Sequence, residues 1–211
     1  MENDAVVRLL GPVKGRRVLE LGCGTGDTAV RFAREGATVI GVDSSPERIA
    51  TARAAADAAE VRLELRAGDL ADLAFLRADS IDVALSGEAL GSVTDLGRLF
   101  RQVHRVLRPA AGFVFSLPHP MALGTETEDS PEGALPLGRT YVARSYFDPA
   151  PVDVGTGEDR HAVVRHTLGE VFTGLTRAGF RVDTLLEPEP AREHGGRALL
   201  PTTVVWRGRK E

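Results

Sequence analysis

The sequence predicts an α/β fold: a doubly wound, mostly parallel seven-stranded sheet with helices on both faces, the last strand antiparallel, and a lid inserted after the fifth strand. Three observations predict it. Short apolar strands alternate with helical segments from Arg17 to Pro118, the pattern of crossover units on a parallel sheet. A glycine-rich turn follows the first strand directly. A proline-rich irregular stretch then separates this half from one more helix and two more strands.

The first five strands read Val18–Leu21, Thr38–Val42, Val61–Leu65, Ile81–Leu85 and Phe113–Leu117. Between them, Ser45 followed by Pro46 marks a helix start, with serine as N-cap and proline in the first turn. Leu96, Leu99, Phe100, Val103 and Leu107 form the apolar face of a further helix. The stretch from Pro118 to about Arg160 holds six prolines and an acidic run from Glu126 to Glu132. Irregular segments of that length in a compact domain are commonly functional loops. Within the second half, Thr140–Phe147 and His161–Arg165 read as short strands that could form a hairpin. Thr167 with Glu170 three residues on is a capping box, and Gly179 ends the helix it opens. Phe180–Leu186 and Thr202–Trp206 are the last two strands.

Composition bounds the function. The chain has 211 residues, enough to bury one core without disulfides or metal. Its apolar runs fall short of the roughly 20 residues a membrane span needs, and its polar, acidic N-terminus does not read as a secretory signal. Cys23 is the only cysteine, so no internal disulfide and no cysteine-based metal cluster can form, and a reducing cytoplasm fits. A net charge of −4 argues against a large nucleic-acid footprint. Arg98, Arg101, Arg105 and Arg108 share one helix face, expected to be solvated.

The chemistry sits at the strand ends. Val18-Leu19-Glu20-Leu21-Gly22-Cys23-Gly24-Thr25-Gly26 is a buried strand entering a glycine turn and then a helix. Glycine lets a ligand approach the backbone, and the helix start presents free N–H groups. Ligands of open α/β sheets bind at the carboxyl ends of strands. Asp43 ends the second strand, where a carboxylate accepts hydrogen bonds from ribose hydroxyls. Gly68-Asp69-Leu70 follows the third, where an aspartate can accept from an exocyclic amine. The fourth ends at Ser86-Gly87-Glu88. A dinucleotide fingerprint does not fit in register on Gly24-Thr25-Gly26-Asp27-Thr28-Ala29.

These elements, in this order, resemble the class I S-adenosylmethionine-dependent methyltransferases of the single-domain, small-molecule type. The resemblance covers about Val13 to Leu117 and, more weakly, the last two strands. It implies S-adenosylmethionine as cofactor. It implies that Glu20, Gly22 and Gly24 hold the methionine portion, with Cys23 and Gly26 completing the turn, and Asp43 the ribose. Ser44 and Arg48 flank the ribose, Asp69 and Leu70 beside Gly68 read the adenine, and Ser86 offers a backbone contact. The expected activity is methylation of a small metabolite at oxygen, nitrogen or carbon, without a metal, by a monomer or homodimer. The competing readings are methylation of tRNA or rRNA and a non-catalytic protein that binds the cofactor.

Candidate bases are His119, after the fifth strand at the expected mouth of the site, and His166, before the capped helix. His161 is a weaker candidate. Glu88, Tyr141 and Tyr146 are candidate substrate contacts. The expected division is a single domain over 1–211, with a cofactor-binding half at 1–117, a lid and substrate insertion at 118–166, and the last helix and strands at 167–211.

Overall fold

The computed structural model describes residues 3–128, 139–154, 161–189 and 200–211. Its centre is a seven-stranded sheet of β1 (Arg17–Leu21), β2 (Thr38–Asp43), β3 (Leu63–Ala67), β4 (Ile81–Ser86), β5 (Leu107–Pro118), β10 (Phe180–Leu186) and β11 (Thr203–Lys210). The strand order is β10-β11-β5-β4-β1-β2-β3. The pairs from β3 through β1 and β4 to β5 are parallel, and β11 runs antiparallel to both β5 and β10. The expected antiparallel last strand is present. The chain leaves β1 toward β2 on one side and later returns to β4 on the other. The order therefore reverses between β1 and β4, and a crevice opens beyond their carboxyl ends.

Two apolar layers hold helices to the sheet. On one face α1 (Asn3–Leu10) and α2 (Asp27–Arg34) bury Val6, Leu10, Ala29 and Phe32 against Val18, Val83, Val114 and Val205. On this side α3 (Pro46–Ala58) packs against α2, β2 and β3. On the other face α4 (Leu96–Val106) and α5 (Leu168–Arg177) bury Leu99, Phe100, Val103, Val171 and Leu175 against Leu19, Phe113, Phe115 and Trp206. The strands that cross between these layers are apolar on both sides, as a parallel sheet covered on both faces requires.

The helix boundaries follow local chemistry. Ser45 Oγ accepts the Arg48 N–H at 3.1 Å and Pro46 opens α3. Thr167 and Glu170 form the expected reciprocal capping box of α5. Asp95, not singled out in the sequence, caps α4 through the Arg98 N–H at 2.8 Å.

Three expectations are corrected. The third strand starts at Leu63 because the Val61 N–H bonds back to the Ala56 carbonyl at 3.0 Å and still belongs to the end of α3. The lid does not pair Thr140–Phe147 with His161–Arg165. Instead β7 (Arg139–Val142) pairs with β6 (Thr125–Glu128), and β9 (His161–Val163) pairs with β8 (Val152–Val154), each antiparallel. The four arginines do not share one solvated face. Arg108 lies in β5 and pairs with Asp82, while Arg105 donates to the Leu73 and Leu76 carbonyls at 2.7 and 2.9 Å. Arg98 turns toward Asp69.

Candidate functional site

The glycine turn is stitched to the end of β2. The Gly22 and Cys23 N–H groups both donate to the Val42 carbonyl, at 2.7 and 3.1 Å. Gly22 has φ 72°, and a Cβ there would fall 2.0 Å from the Cβ of Ala89. Gly26 caps α2 with φ 88°, and its Cβ would lie 2.9 Å from that of Ala52. Both positions demand glycine for conformation and for space.

Asp43 joins the glycine turn, the start of α3 and the β3 end. Its side chain is buried, Oδ2 accepts the Gly24 N–H at 2.8 Å and Oδ1 accepts the Ser45 N–H at 2.9 Å. Its backbone carbonyl accepts the Gly68 N–H at 2.9 Å. The three strand-end elements read from the sequence thus meet on one residue. A carboxylate has about four lone-pair sites, so two remain for ligand hydroxyls.

Glu20 lies behind the turn, 5% exposed, and its Oε2 has no hydrogen-bond partner among the described residues. Burial pushes its carboxyl up to about 8; Arg31 opposes the shift, and Asp27 and Asp43 add to it. A buried carboxyl oxygen left without a donor fits a site that receives a polar or cationic ligand group. The Cys23 thiol is pushed up to about 12, chiefly by burial and then by Glu20 and Asp43. At neutral pH it is a protonated packing group, not a nucleophile.

Beyond the carboxyl ends of the strands lies a cleft of about 690 Å³. Gly22, Asp43, Ser44 and Arg48 line one part of it, and Asp69, Leu70 and Glu88 another. Glu20, Cys23, Gly24, Gly26, Gly68 and Ser86 are not in its wall. Ser86 is fully buried and donates to the Leu21 carbonyl at 2.7 Å, tying β4 to β1 at the crevice. Asp69 Oδ1 accepts the Ala71 N–H at 2.9 Å, and its Oδ2 pairs with Arg98 Nη1 at 3.2 Å.

The histidines change places relative to expectation. His119 does not line the cleft: it is buried, Nε2 meets Glu187 Oε1 at 2.9 Å, and Nδ1 accepts the Met121 N–H at 3.2 Å. That pattern sets the proton on Nε2, and the ring fastens the β5 end to the segment after β10. His166 is also outside the lining. Its Nε2 meets the Val93 carbonyl at 2.9 Å, and burial holds it below the usual histidine range against the opposing pull of Val93 and Glu170. His161, the weakest candidate, does line the cleft. Tyr146 does not, because its hydroxyl accepts the Leu168 N–H at the start of α5, 3.1 Å away. The Tyr141 side chain lies outside the described residues.

Sequence reasoning missed Arg98 as a cleft residue; nothing in the sequence sets it apart from the other arginines of its segment. His161 could have been found by period-two alternation, had β9 been paired correctly.

Residues 18–110 match a family described as Methyltransferase domain. The chain is 38% identical over 102 residues to the ubiquinone biosynthesis O-methyltransferase of Azorhizobium caulinodans, covering 48% of this chain and 40% of that protein. It is 35% identical over 114 residues to the 2-phytyl-1,4-naphtoquinone methyltransferase of a Nostoc species, covering 52% and 49%. The matches thus span about half the length of these curated relatives or less. A solved S-adenosylmethionine-dependent methyltransferase from Mesorhizobium loti superposes with TM-score 0.79 at 29% identity, over 98% of this chain and 96% of that one. The sheet order and the crevice define an α/β cofactor-binding fold. Residues 18–110 thus resemble a methyltransferase domain, and nearly the whole chain is similar in fold to a solved S-adenosylmethionine-dependent methyltransferase. Among the described residues no helix is long and apolar enough to cross a membrane.

Proposed function

We propose that the protein transfers the methyl group of S-adenosylmethionine to a small-molecule acceptor. The observation that carries this reading is the convergence of the glycine turn, β2 and the β3 edge on Asp43, at the floor of a cleft sized for a nucleoside-bearing ligand. The bound cofactor supplies an electrophilic methyl on a sulfonium centre; the chain supplies alignment. Asp43 holds the ribose hydroxyls with its remaining lone pairs, flanked by Ser44 and Arg48. Asp69 and Leu70, next to Gly68, read the adenine. The turn Gly22–Gly26 and the unpartnered Glu20 oxygen receive the methionine portion, with Ser86 bracing β4 beside it. Glu88 stands at the cleft wall for acceptor contact. From the described part of the segment after β5, His161 joins the cleft wall, and His119, His166 and Tyr146 fasten that part through the bonds described above. Holding reactants in line substitutes for effective concentrations of about 10⁵–10⁸ M, so positioning supplies much of the rate.

Titration calorimetry with S-adenosylhomocysteine and S-adenosylmethionine tests the reading. Binding of both is expected. Absence of heat and of any thermal shift up to about millimolar ligand, corresponding to roughly 4 kcal/mol of binding free energy, would overturn it.

A further inference from the structure

The cleft lies at the carboxyl ends of the parallel strands, and at their amino ends, on the opposite edge of the sheet, the chain gathers arginines. Arg16 directly precedes β1, and the antiparallel course of β11 brings Arg207 and Arg209 level with Val114 and Gly112 of β5. With Arg108 and Asp82 they wall a concavity of about 340 Å³ beside the end of α1. Asp183 on β10 holds two of them as a fork: Oδ1 accepts from Arg207 Nε at 2.6 Å and Oδ2 from Arg209 Nε at 2.7 Å. Arg207 Nη1 also donates to the Leu9 carbonyl at 3.3 Å, and Arg108 pairs with Asp82. Among the described residues, four guanidiniums thus share two carboxylates. The next charges along the edge cancel in pairs, Lys210 with Asp79 and Arg181 with Glu211. Positive charge is left over in this one concavity, on a chain whose net charge is −4.

We propose that this concavity is a second ligand site, which binds a small phosphate-bearing anion. A guanidinium is planar and meets phosphate oxygens two at a time. It has five donors, of which Arg209 spends one on Asp183 and Arg108 two, on Asp82 and the Asp79 carbonyl. The Arg108 and Arg209 side chains are 53% and 40% exposed, so their remaining donors are within reach of a ligand. A concave wall of one sign focuses the field and raises the local concentration of counter-ions. The backbone of the same wall is strained. The β4–β5 register shifts between Ile81 and Val83, and Ala110 in the intervening loop has φ 64°, a left-handed conformation that a Cβ disfavours. Strain of this kind gathers at ligand sites. The small volume and the negative chain as a whole favour a small anion over nucleic acid, whose long phosphate backbone the rest of the surface would repel.

Calorimetry with sodium pyrophosphate on the full chain, in about 0.15 M sodium chloride, tests the site without reference to methyl transfer. Saturable one-to-one binding with a dissociation constant below about 1 mM is expected. Arg16→Gln and Arg209→Gln should each weaken it at least about fivefold. Arg16 is half-buried at the rim and Asp183 keeps Arg207 when Arg209 is replaced, so both variants are expected to melt like the wild type. Arginine Nε–H resonances followed during the titration should move for Arg16, Arg108, Arg207 and Arg209, while Arg48 and Arg98 in the cleft stay fixed. Absence of saturable heat, equal affinity in the wild type and both folded variants, or movement confined to Arg48 and Arg98 would overturn the proposal. A ten-nucleotide RNA in the same salt decides the class of ligand. Binding weaker than that of pyrophosphate supports a small anion, and binding about tenfold tighter or more at the same arginines would replace it with nucleic acid.

Discussion

Asp43 and Gly24 are bonded side chain to backbone: Oδ2 accepts the Gly24 N–H at 2.8 Å, across 19 residues of sequence. The carboxylate expected only to hold a ligand also builds the turn that would hold it. Its second oxygen does the same for the Ser45 N–H that begins the turn into α3.

Asp43→Ala is therefore expected to cost stability as well as binding. Two backbone donors next to a 3% exposed side chain lose their acceptor, at roughly 1–3 kcal/mol each. Denaturant unfolding should show a loss of about 2–5 kcal/mol. Calorimetry on the folded variant should show S-adenosylhomocysteine binding weakened at least about tenfold, or about 1.4 kcal/mol. Unchanged stability with weakened binding would mean that the two backbone bonds contribute little.

Glu20 predicts a pH signature. Its carboxyl is raised from 4.5 to about 8 by burial, so the folded protein holds a proton that the unfolded chain has released. Where the folded state binds more protons, stability falls as pH rises. The loss should run from about pH 4.5 to about pH 8, and Glu20→Gln should remove it. Thermal melts across that range, for both proteins, measure the difference. A ligand ammonium beside Glu20 would stabilise the carboxylate, so binding at neutral pH should release a fraction of a proton. Calorimetry in buffers of different ionisation enthalpy would read this, and a buffer-independent heat would place the ammonium elsewhere.

Arg98 pairs with Asp69 at 3.2 Å, both side chains about half exposed. Such pairs contribute about 0–1 kcal/mol, so Arg98→Ala should leave the melting temperature nearly unchanged. It should also free Asp69 Oδ2 for the adenine amine and tighten S-adenosylhomocysteine binding by about two- to fivefold. The gain should shrink in high salt, which already screens the pair. Equal affinity in wild type and variant at low salt would show that the pair does not compete with the ligand.

The sheet and its glycine turn were legible because they rest on local signals. An apolar run such as Val18–Leu21 has only one good use in a parallel sheet, and Ser45-Pro46 or Thr167–Glu170 cap a helix wherever they occur. The strand-end residues followed from that register: Asp43 sits where β2 stops, and the sequence shows where it stops. The lid was not legible, because β6 to β9 are only three or four residues long and their partners are set by tertiary contact. His161 was not placed in the cleft wall for that reason, and His119 was not placed away from it because its partner Glu187 lies 68 residues on. A one-residue change in the register of such a strand moves each side chain to the opposite face. Arg98 escaped because its role depends on Asp69, 29 residues away.

Arg165 offers a test of how the lid is held. It is 3% exposed, and its guanidinium donates to the Ser145 carbonyl and, at 2.8 Å, to the Leu123 carbonyl. One side chain thus ties the turns flanking β6 and β7 to the junction before α5, and its Nε has no acceptor among the described residues. A buried cation with incomplete hydrogen bonding is a costly fastener. Arg165→Leu keeps the apolar bulk but leaves two carbonyls without a donor, for a local cost of about 2–4 kcal/mol. Because the lid lies outside the main sheet, the loss should appear as faster limited proteolysis within 118–166 and not as an equal fall in global stability. Thr167→Ala is the control: losing that cap should cost about 1 kcal/mol and loosen the start of α5 alone. If both variants open the lid equally, the capped helix, not the guanidinium, fastens it. If only Arg165→Leu does so, the buried Arg165 guanidinium, not the helix cap, sets how β6 and β7 are held.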